Sequence, residues 1–322
     1  MRIIDHVPGN RAPLNKLNKF FKFRRIHSMK KLFALALAAL MVLSMAACSA
    51  PAAEETAAPA SAEATPTEAP AADDDAAEGA VMKKVKESGK LVVGTEAQYA
   101  PYEFKDLDAN FAGCDIWLAQ QIADALGVEL EIVDMSFDGI IPAVQSGQVD
   151  MGIAAFTVTE ERAQVIDFSE VYEKSPQAVI VKKGNEAAYS TKESFAGKKV
   201  GAQKGTVQSL LIKNVLTGSE LFELDKYPEL GMEVAAGNIA ALVVDSAVAD
   251  ALIKSNPDLA LADFEFDPNE VNYGKAAVIA KGNEDFVAAV NEVITKVTSD
   301  GSFQKAYDDA VALADSMGLE MD

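Results

Sequence analysis

The chain has 322 residues, 49% of them apolar, with 29 Lys/Arg against 49 Asp/Glu and a formal net charge of −20. That length suits two domains, or one domain pair with crossed connections, and the apolar content supports a core. So acidic a chain is repelled by nucleic acid and by anionic lipid, which excludes both as partners except through a covalent anchor.

The N-terminal region runs against this charge. Residues 1–47 carry nine Lys/Arg and only Asp5 as an acid, leaving 20 basic and 48 acidic residues downstream. Met29-Lys30-Lys31 followed by the apolar run 32–45 reads as a secretory signal, too short to span a membrane comfortably. It closes on Ser44-Met45-Ala46-Ala47-Cys48, which is similar to a bacterial lipobox, with Met45 where Leu is usual. Cys48 is therefore the expected lipidation site, its thiol taking a diacylglycerol and palmitate-type chains. Residues 1–28 precede the signal and are expected to be a mis-assigned upstream stretch, with Met29 as the start. Both histidines, His6 and His27, lie in this leader. Its removal excludes His-dependent nucleophilic catalysis and imidazole zinc sites. The second cysteine, Cys114, has no partner for a disulfide. No cofactor and no metal are expected.

Residues 49–80 are nearly all Ala, Pro, Thr, Ser and acids, with eight acidic residues and no base. Such a segment buries too little apolar surface to fold, so 48–80 reads as a disordered acidic tether reaching roughly 30 Å.

The folded part alternates strands and helices. Lys90–Gly94 predicts a strand. Residues 115–126 carry Ile116, Ala119, Ile122, Ala123 and Leu126 at helical spacing, ended by Gly127. Residues 128–133 predict a strand, and Asp138 is expected to cap a helix over 139–146 stopped by Gly147. Residues 151–155 predict a buried strand, and Thr159 a cap for a helix opened by Glu160 and Glu161. After residue 185 the pattern restarts. Strands are expected at 199–202, 239–244 and 273–280, a turn at Gly205, and helices at 206–216, 247–255, 284–298 and 302–313. Alternation of this kind means parallel sheets covered on both faces.

Five short motifs fall in register across about 75 residues: Gly94-Thr95-Glu96-Ala97-Gln98-Tyr99-Ala100-Pro101-Tyr102-Glu103-Phe104, Phe137-Asp138-Gly139-Ile140-Ile141-Pro142, Gly147-Gln148-Val149-Asp150, Phe156-Thr157-Val158-Thr159-Glu160-Glu161-Arg162 and Asp167-Phe168. Together they resemble the first lobe of the family 3 extracellular solute-binding proteins, the polar amino-acid receptors of ABC importers, and the likeness continues over residues 88–322. The resemblance implies an α/β, two-lobed periplasmic-binding-protein-like type II fold with two parallel-rich sheets and a double hinge. Lobe 1 would comprise 88–175 plus 275–322 and lobe 2 would comprise 176–274, with crossings near 174–178 and 272–277. It also implies a monomeric, extracytoplasmic receptor, lipid-anchored to the cell membrane, that delivers its ligand to ABC transporter permease subunits.

A free amino acid presents a carboxylate and an ammonium, so its site needs a planar cation, an anion and dipoles between them. Arg162, in the family's Thr-x-x-Arg position, suits the carboxylate; taken alone it would read as a surface arginine paired with Glu160 or Glu161. Asp245, at the end of an apolar strand, matches the family's ammonium-binding aspartate, and also reads as a helix cap. The resemblance implies that the carbonyls of Ala154 and Ala155, with Thr157, line the loop facing the ligand. Across the cleft, the amides of Thr206 and Val207 at a helix start would meet the carboxylate, and Gln203 would reach the side chain. Lys204 is expected to point to solvent. Tyr99 and Phe137 form aromatic walls, while Tyr102, Phe104 and Cys114 are read as core. Glu96 departs from the family's usual Asp. With Arg162 as the only cation expected in the pocket, a polar amino acid is favoured over an acidic one. A dehydratase-like enzyme on this scaffold, or a sensory or adhesion ectodomain, are the alternatives.

Overall fold

The computed structural model describes residues 79–268, 271 and 274–317. The upstream stretch, the signal, Cys48 and the tether up to residue 78 lie outside the described residues, as do Asn272 and Tyr273 of the second crossing and residues 318–322. Gly79 and Ala80, at the end of the expected tether, are described, and Ala80 opens a helix, Ala80–Ser88, that sequence periodicity did not disclose.

The first sheet runs in the order Glu129–Asp134, Lys90–Thr95, Met151–Gly152, Val278–Ile279, Asp167–Phe168. The first three strands are parallel, and Val278–Ile279 is antiparallel to both its neighbours. The helix Cys114–Leu126 covers it with Leu118, Ala119, Ile122 and Ala123, none of them exposed. Each fully buried Leu or Ile contributes about 1.5–3 kcal/mol. Gly127 ends this helix at φ +71°, which admits a residue without Cβ, and its amide bonds back to Ala123 and Asp124. The helices Glu284–Ser299 and Ser302–Met317 return to the same core through Phe286, Val290, Ile294 and Phe303.

The second sheet repeats the plan. Its order is Glu220–Leu224, Lys199–Gln203, Ala241–Asp245, Gln177–Lys182, Leu259–Leu261. Again three parallel strands are followed by one antiparallel to its neighbours. Between the sheets, Glu173–Lys174 pairs antiparallel with Gly274–Lys275, so the chain passes both ways along one two-stranded ribbon.

Several boundaries differ from the sequence reading. The expected strand 151–155 stops at Gly152, because Ala155 turns at φ +47° and carries the chain into the cleft. Asp138 does not cap its helix. The helix is Phe137–Gln145, Ser136 holds the cap position, and Asp138 lies in the first turn paired with Lys204 at 2.8 Å. The strand Glu220–Leu224 and the helix Tyr227–Ala236 were not expected; Pro228 and Gly231 obscure the latter's periodicity. No helix among the described residues is long and apolar enough to cross a membrane.

Candidate functional site

Carboxyl ends of strands from both sheets converge on one cleft of about 300 Å³, the position where ligands enter open α/β sheets. All eleven residues singled out in the sequence line it. Glu96 follows Lys90–Thr95, Tyr99 lies on the short hairpin after it, and Phe137 opens its helix. Ala154, Ala155 and Thr157 form the loop beyond Met151–Gly152, and Arg162 sits in the short helix Glu160–Ala163. From the second sheet come Gln203 and Asp245, each the last residue of its strand, with Thr206 and Val207 at the start of Val207–Asn214. Glu103, Gln208 and Tyr227 complete the lining.

Arg162 is not a surface arginine paired with its acidic neighbours. Thr159 Oγ1 accepts from its amide at 3.2 Å and fixes the turn. Its guanidinium lies 5.5 Å and 5.3 Å from the ring centres of Phe137 and Phe156, which stack on each other at 4.6 Å. Nη1 donates to the carbonyl of Thr157 at 2.7 Å and Nη2 to that of Gly205 at 3.0 Å, so it touches both lobes. Burial pulls its pKa down to about 10, which leaves it charged at neutral pH. Two of five donors are engaged, so an anion still finds a planar cationic fork. Gly205 has φ +77°, and a Cβ there would stand 3.1 Å from Asp138 Cβ, so glycine lets the lobes approach.

Asp245 is 1% exposed and meets four donors. Oδ1 accepts from Gln177 Nε2 at 2.5 Å and Lys275 Nζ at 2.7 Å, while Oδ2 accepts from the Tyr99 hydroxyl and from Gln208 Nε2 at 3.4 Å. It occupies the cap position of Ser246–Ser255 but makes no side-chain cap, because these partners draw the carboxylate towards the cleft.

Among the described residues Arg162 is the one cation that lines the cleft, as expected, but a second, Lys275, stands behind the lining. It is fully buried, and its Nζ also reaches Thr157 Oγ1 at 3.3 Å. The sequence held one signal for it: a lone lysine in the run Gly274-Lys275-Ala276-Ala277-Val278-Ile279, whose other residues are small or apolar. Lys204, by contrast, is mostly exposed as expected, although paired with Asp138.

Desolvation raises the Glu96 carboxyl to about 8, against a 3.4 Å hydrogen bond from Gln203 Nε2. It is thus largely protonated at neutral pH. Gln203 is anchored chiefly to the carbonyl of Asp225 at 2.7 Å. The Thr206 hydroxyl donates to the carbonyl of Gln203 at 2.6 Å, and its amide lies 3.4 Å from the same carbonyl. The expectation of two open amides is thereby amended, since the Thr206 amide already faces a distant acceptor. No side chain caps the amides that open the helix Val207–Asn214.

Tyr99 stacks between Tyr102, at 5.8 Å, and Tyr227, at 5.1 Å. Tyr227 was missed in the sequence, yet it lines the cleft, and its buried hydroxyl lies among Thr206, Gln203 and Tyr99. Glu103 keeps Oε2 unpartnered at 1% exposure, and burial beside Asp115 pushes its carboxyl well above the usual range. Tyr102, Phe104 and Cys114 are core residues.

The chain is similar to known amino-acid-binding proteins. The L-cystine-binding protein TcyJ of Escherichia coli (strain K12) is 34% identical over 229 residues, 71% of this chain and 85% of the relative. The arginine-binding extracellular protein ArtP of Bacillus subtilis is 30% identical over 223 residues, 68% of this chain and 86% of its own. Among solved structures, the amino acid ABC transporter substrate-binding protein AbpA of Streptococcus pneumoniae, bound to L-arginine, superposes with a TM-score of 0.69 at 37% identity. That match covers 72% of this chain and 98% of AbpA. These relatives are binding proteins. Residues 91–311 match the family described as bacterial extracellular solute-binding proteins, family 3, and the chain belongs to that family.

Proposed function

We propose that this chain captures one free amino acid between its lobes and passes it to the membrane subunits of an ABC importer. The observation that carries the reading is that Arg162, from one lobe, and Asp245, from the other, line the same small cleft. A zwitterion spans such a pair with its carboxylate on the guanidinium and its ammonium on the aspartate. The carbonyls of Ala154 and Ala155, with Thr157, supply dipoles, and Tyr99 and Phe137 flank the aliphatic part of the side chain. The cleft binds its ligand and carries out no reaction on it.

The side chain is polar, and Glu96 favours a cation at its end. A cation there recovers the charge that desolvation suppresses in the empty cleft. Lys275 does not admit a second ligand carboxylate. It is already engaged by Asp245, and Glu103, Asp115 and Glu173 all act on it electrostatically. L-arginine, the ligand bound to AbpA, is therefore the first candidate.

A thermal-shift screen over the twenty amino acids is expected to show stabilisation by L-arginine and none by glutamate or aspartate. The affinity for L-arginine should also depend on pH in a stated direction. Glu96 holds its proton up to about 8 in the empty cleft, and a cationic side chain requires it ionised. Binding then releases a proton and tightens as pH rises from 6 to 8, by up to roughly tenfold per unit. Glu96→Gln should flatten the profile. Stabilisation by acidic amino acids alone would overturn the reading.

We further infer that the receptor acts as a monomer outside the cytoplasm, held to the membrane through acylated Cys48. The basic start, apolar run and small residues before that cysteine support this. Cys48→Ser should release the protein from the membrane fraction; unchanged retention without lipid label in either form would refute the anchor.

A further inference from the structure

Lys275 has no ligand to bind in the scheme above, yet it holds a central place. It reaches the site from the two-stranded ribbon between the sheets. It does not line the cleft, but it touches two residues that do, Asp245 and Thr157. Of the four donors on Asp245 it alone is charged, since the others are a phenol and two amides.

The groups around the pair leave that role to Lys275. Burial holds the phenols of Tyr99, Tyr102 and Tyr227 well above their ordinary range, so they remain neutral donors. The acids acting on Lys275 are Glu103, Asp115 and Glu173. Burial raises the first well above the carboxylate range, the second to about 6 and the third to about 7. Arg162, the half-buried cation of the cleft, is directed at the carbonyls of Thr157 and Gly205.

A carboxylate in a closed, dry cleft with no cation beside it takes up a proton instead of staying charged. An arriving ammonium would then have to displace that proton. We propose that Lys275 is a positioning residue, a resident ammonium that keeps Asp245 charged while the cleft is empty, so that the ligand's ammonium meets a carboxylate already able to receive it. The inference rests on the reading of Asp245 as the ammonium-binding group. Lys275 and Gln177 hold Oδ1, while Oδ2, which accepts from Tyr99 and more distantly from Gln208 at 3.4 Å, is the oxygen that meets the incoming cation. Binding thus moves no proton at Asp245.

Calorimetry with L-arginine at pH 7, in two buffers of different ionisation enthalpy, counts the protons released on binding. The contribution of Glu96 is common to wild type and variant, and that of Glu103, Asp115 and Glu173, which also face Lys275, is followed by carboxyl-carbon NMR of both proteins with and without ligand, so that the remaining difference reports Asp245. Lys275→Met is expected to release close to one proton more than wild type. Its affinity should fall about tenfold per pH unit more steeply between pH 7.5 and 5.5. Lys275→Arg, which keeps the charge, should return both to wild type. A Lys275→Met protein with the wild-type proton count and pH profile overturns the proposal. Should that variant not fold, carboxyl-carbon NMR of the ligand-free wild type decides instead. The Asp245 signal, assigned through the backbone, should keep the shift of a charged carboxylate at pH 6, and a protonated shift refutes the role. If wild type binds none of the twenty amino acids, the receptor reading fails, while this ligand-free signal still tests Lys275.

Discussion

Asp245→Ala is expected to lose stability as well as ligand, and the reason lies in Lys275. The pair is 2.7 Å apart with side chains 2% and 0% exposed. Removing the anion leaves a buried ammonium whose other acidic neighbours, Glu103, Asp115 and Glu173, are all shifted upward by burial and compensate it only in part. Breaking one side of a buried pair costs about 3–5 kcal/mol, which for a domain pair of this size lowers the melting temperature by on the order of 10 °C. Asp245→Asn combined with Lys275→Met should recover most of that loss, because no uncompensated charge remains. Thermal denaturation of the ligand-free single and double variants separates the cases. Equal melting of the single variant and wild type, or a double variant as unstable as the single, would show that the two residues do not act as a unit.

Arg162→Ala is expected to reduce affinity for L-arginine by on the order of 10²–10³-fold, about 3–4 kcal/mol. The ligand carboxylate would lie against the Phe137 and Phe156 rings with no cation to meet it. Arg162→Lys should fall between the two, since an ammonium keeps the charge but not the two-point grip of a guanidinium. The ligand-free melting point should move little, because the arginine bonds only two backbone carbonyls. Calorimetry on the three proteins measures this. An alanine variant binding within threefold of wild type would remove Arg162 from the site.

Much of this site could be read in the chain because its chemistry sits at predictable places. Strand ends and helix starts carry Glu96, Gln203, Val207 and Asp245, and short local patterns mark those boundaries. Arg162 is readable from Thr159, whose hydroxyl caps the turn three residues earlier. Lys275 was not legible, because a lysine is by default a solvated residue and its partner lies 30 positions away. Tyr227 was lost with its helix, whose Pro228 and Gly231 weaken the periodic signal. Asp138 was misread as a cap because its competitor, Lys204, belongs to the other lobe. For Lys275 and Asp138 what decided the outcome was a contact between segments far apart in sequence, which local periodicity does not encode.

The placement of Val278–Ile279 sets an order of completion. The second sheet is built entirely from residues 177–261 and can close once that stretch is available. The first sheet cannot. Among the described strands, its Asp167–Phe168 is attached through Val278–Ile279 alone, more than a hundred residues later. A chain emerging amino-terminus first therefore finishes its second lobe while the first still exposes an open edge at Met151–Gly152. Long-range closure of this kind is slow and leaves strand edges available to other chains. The lobe with the longer wait is also the one that supplies Glu96, Thr157 and Arg162, so a nascent or truncated chain ending before residue 278 would present a finished lobe 2 and half a cleft.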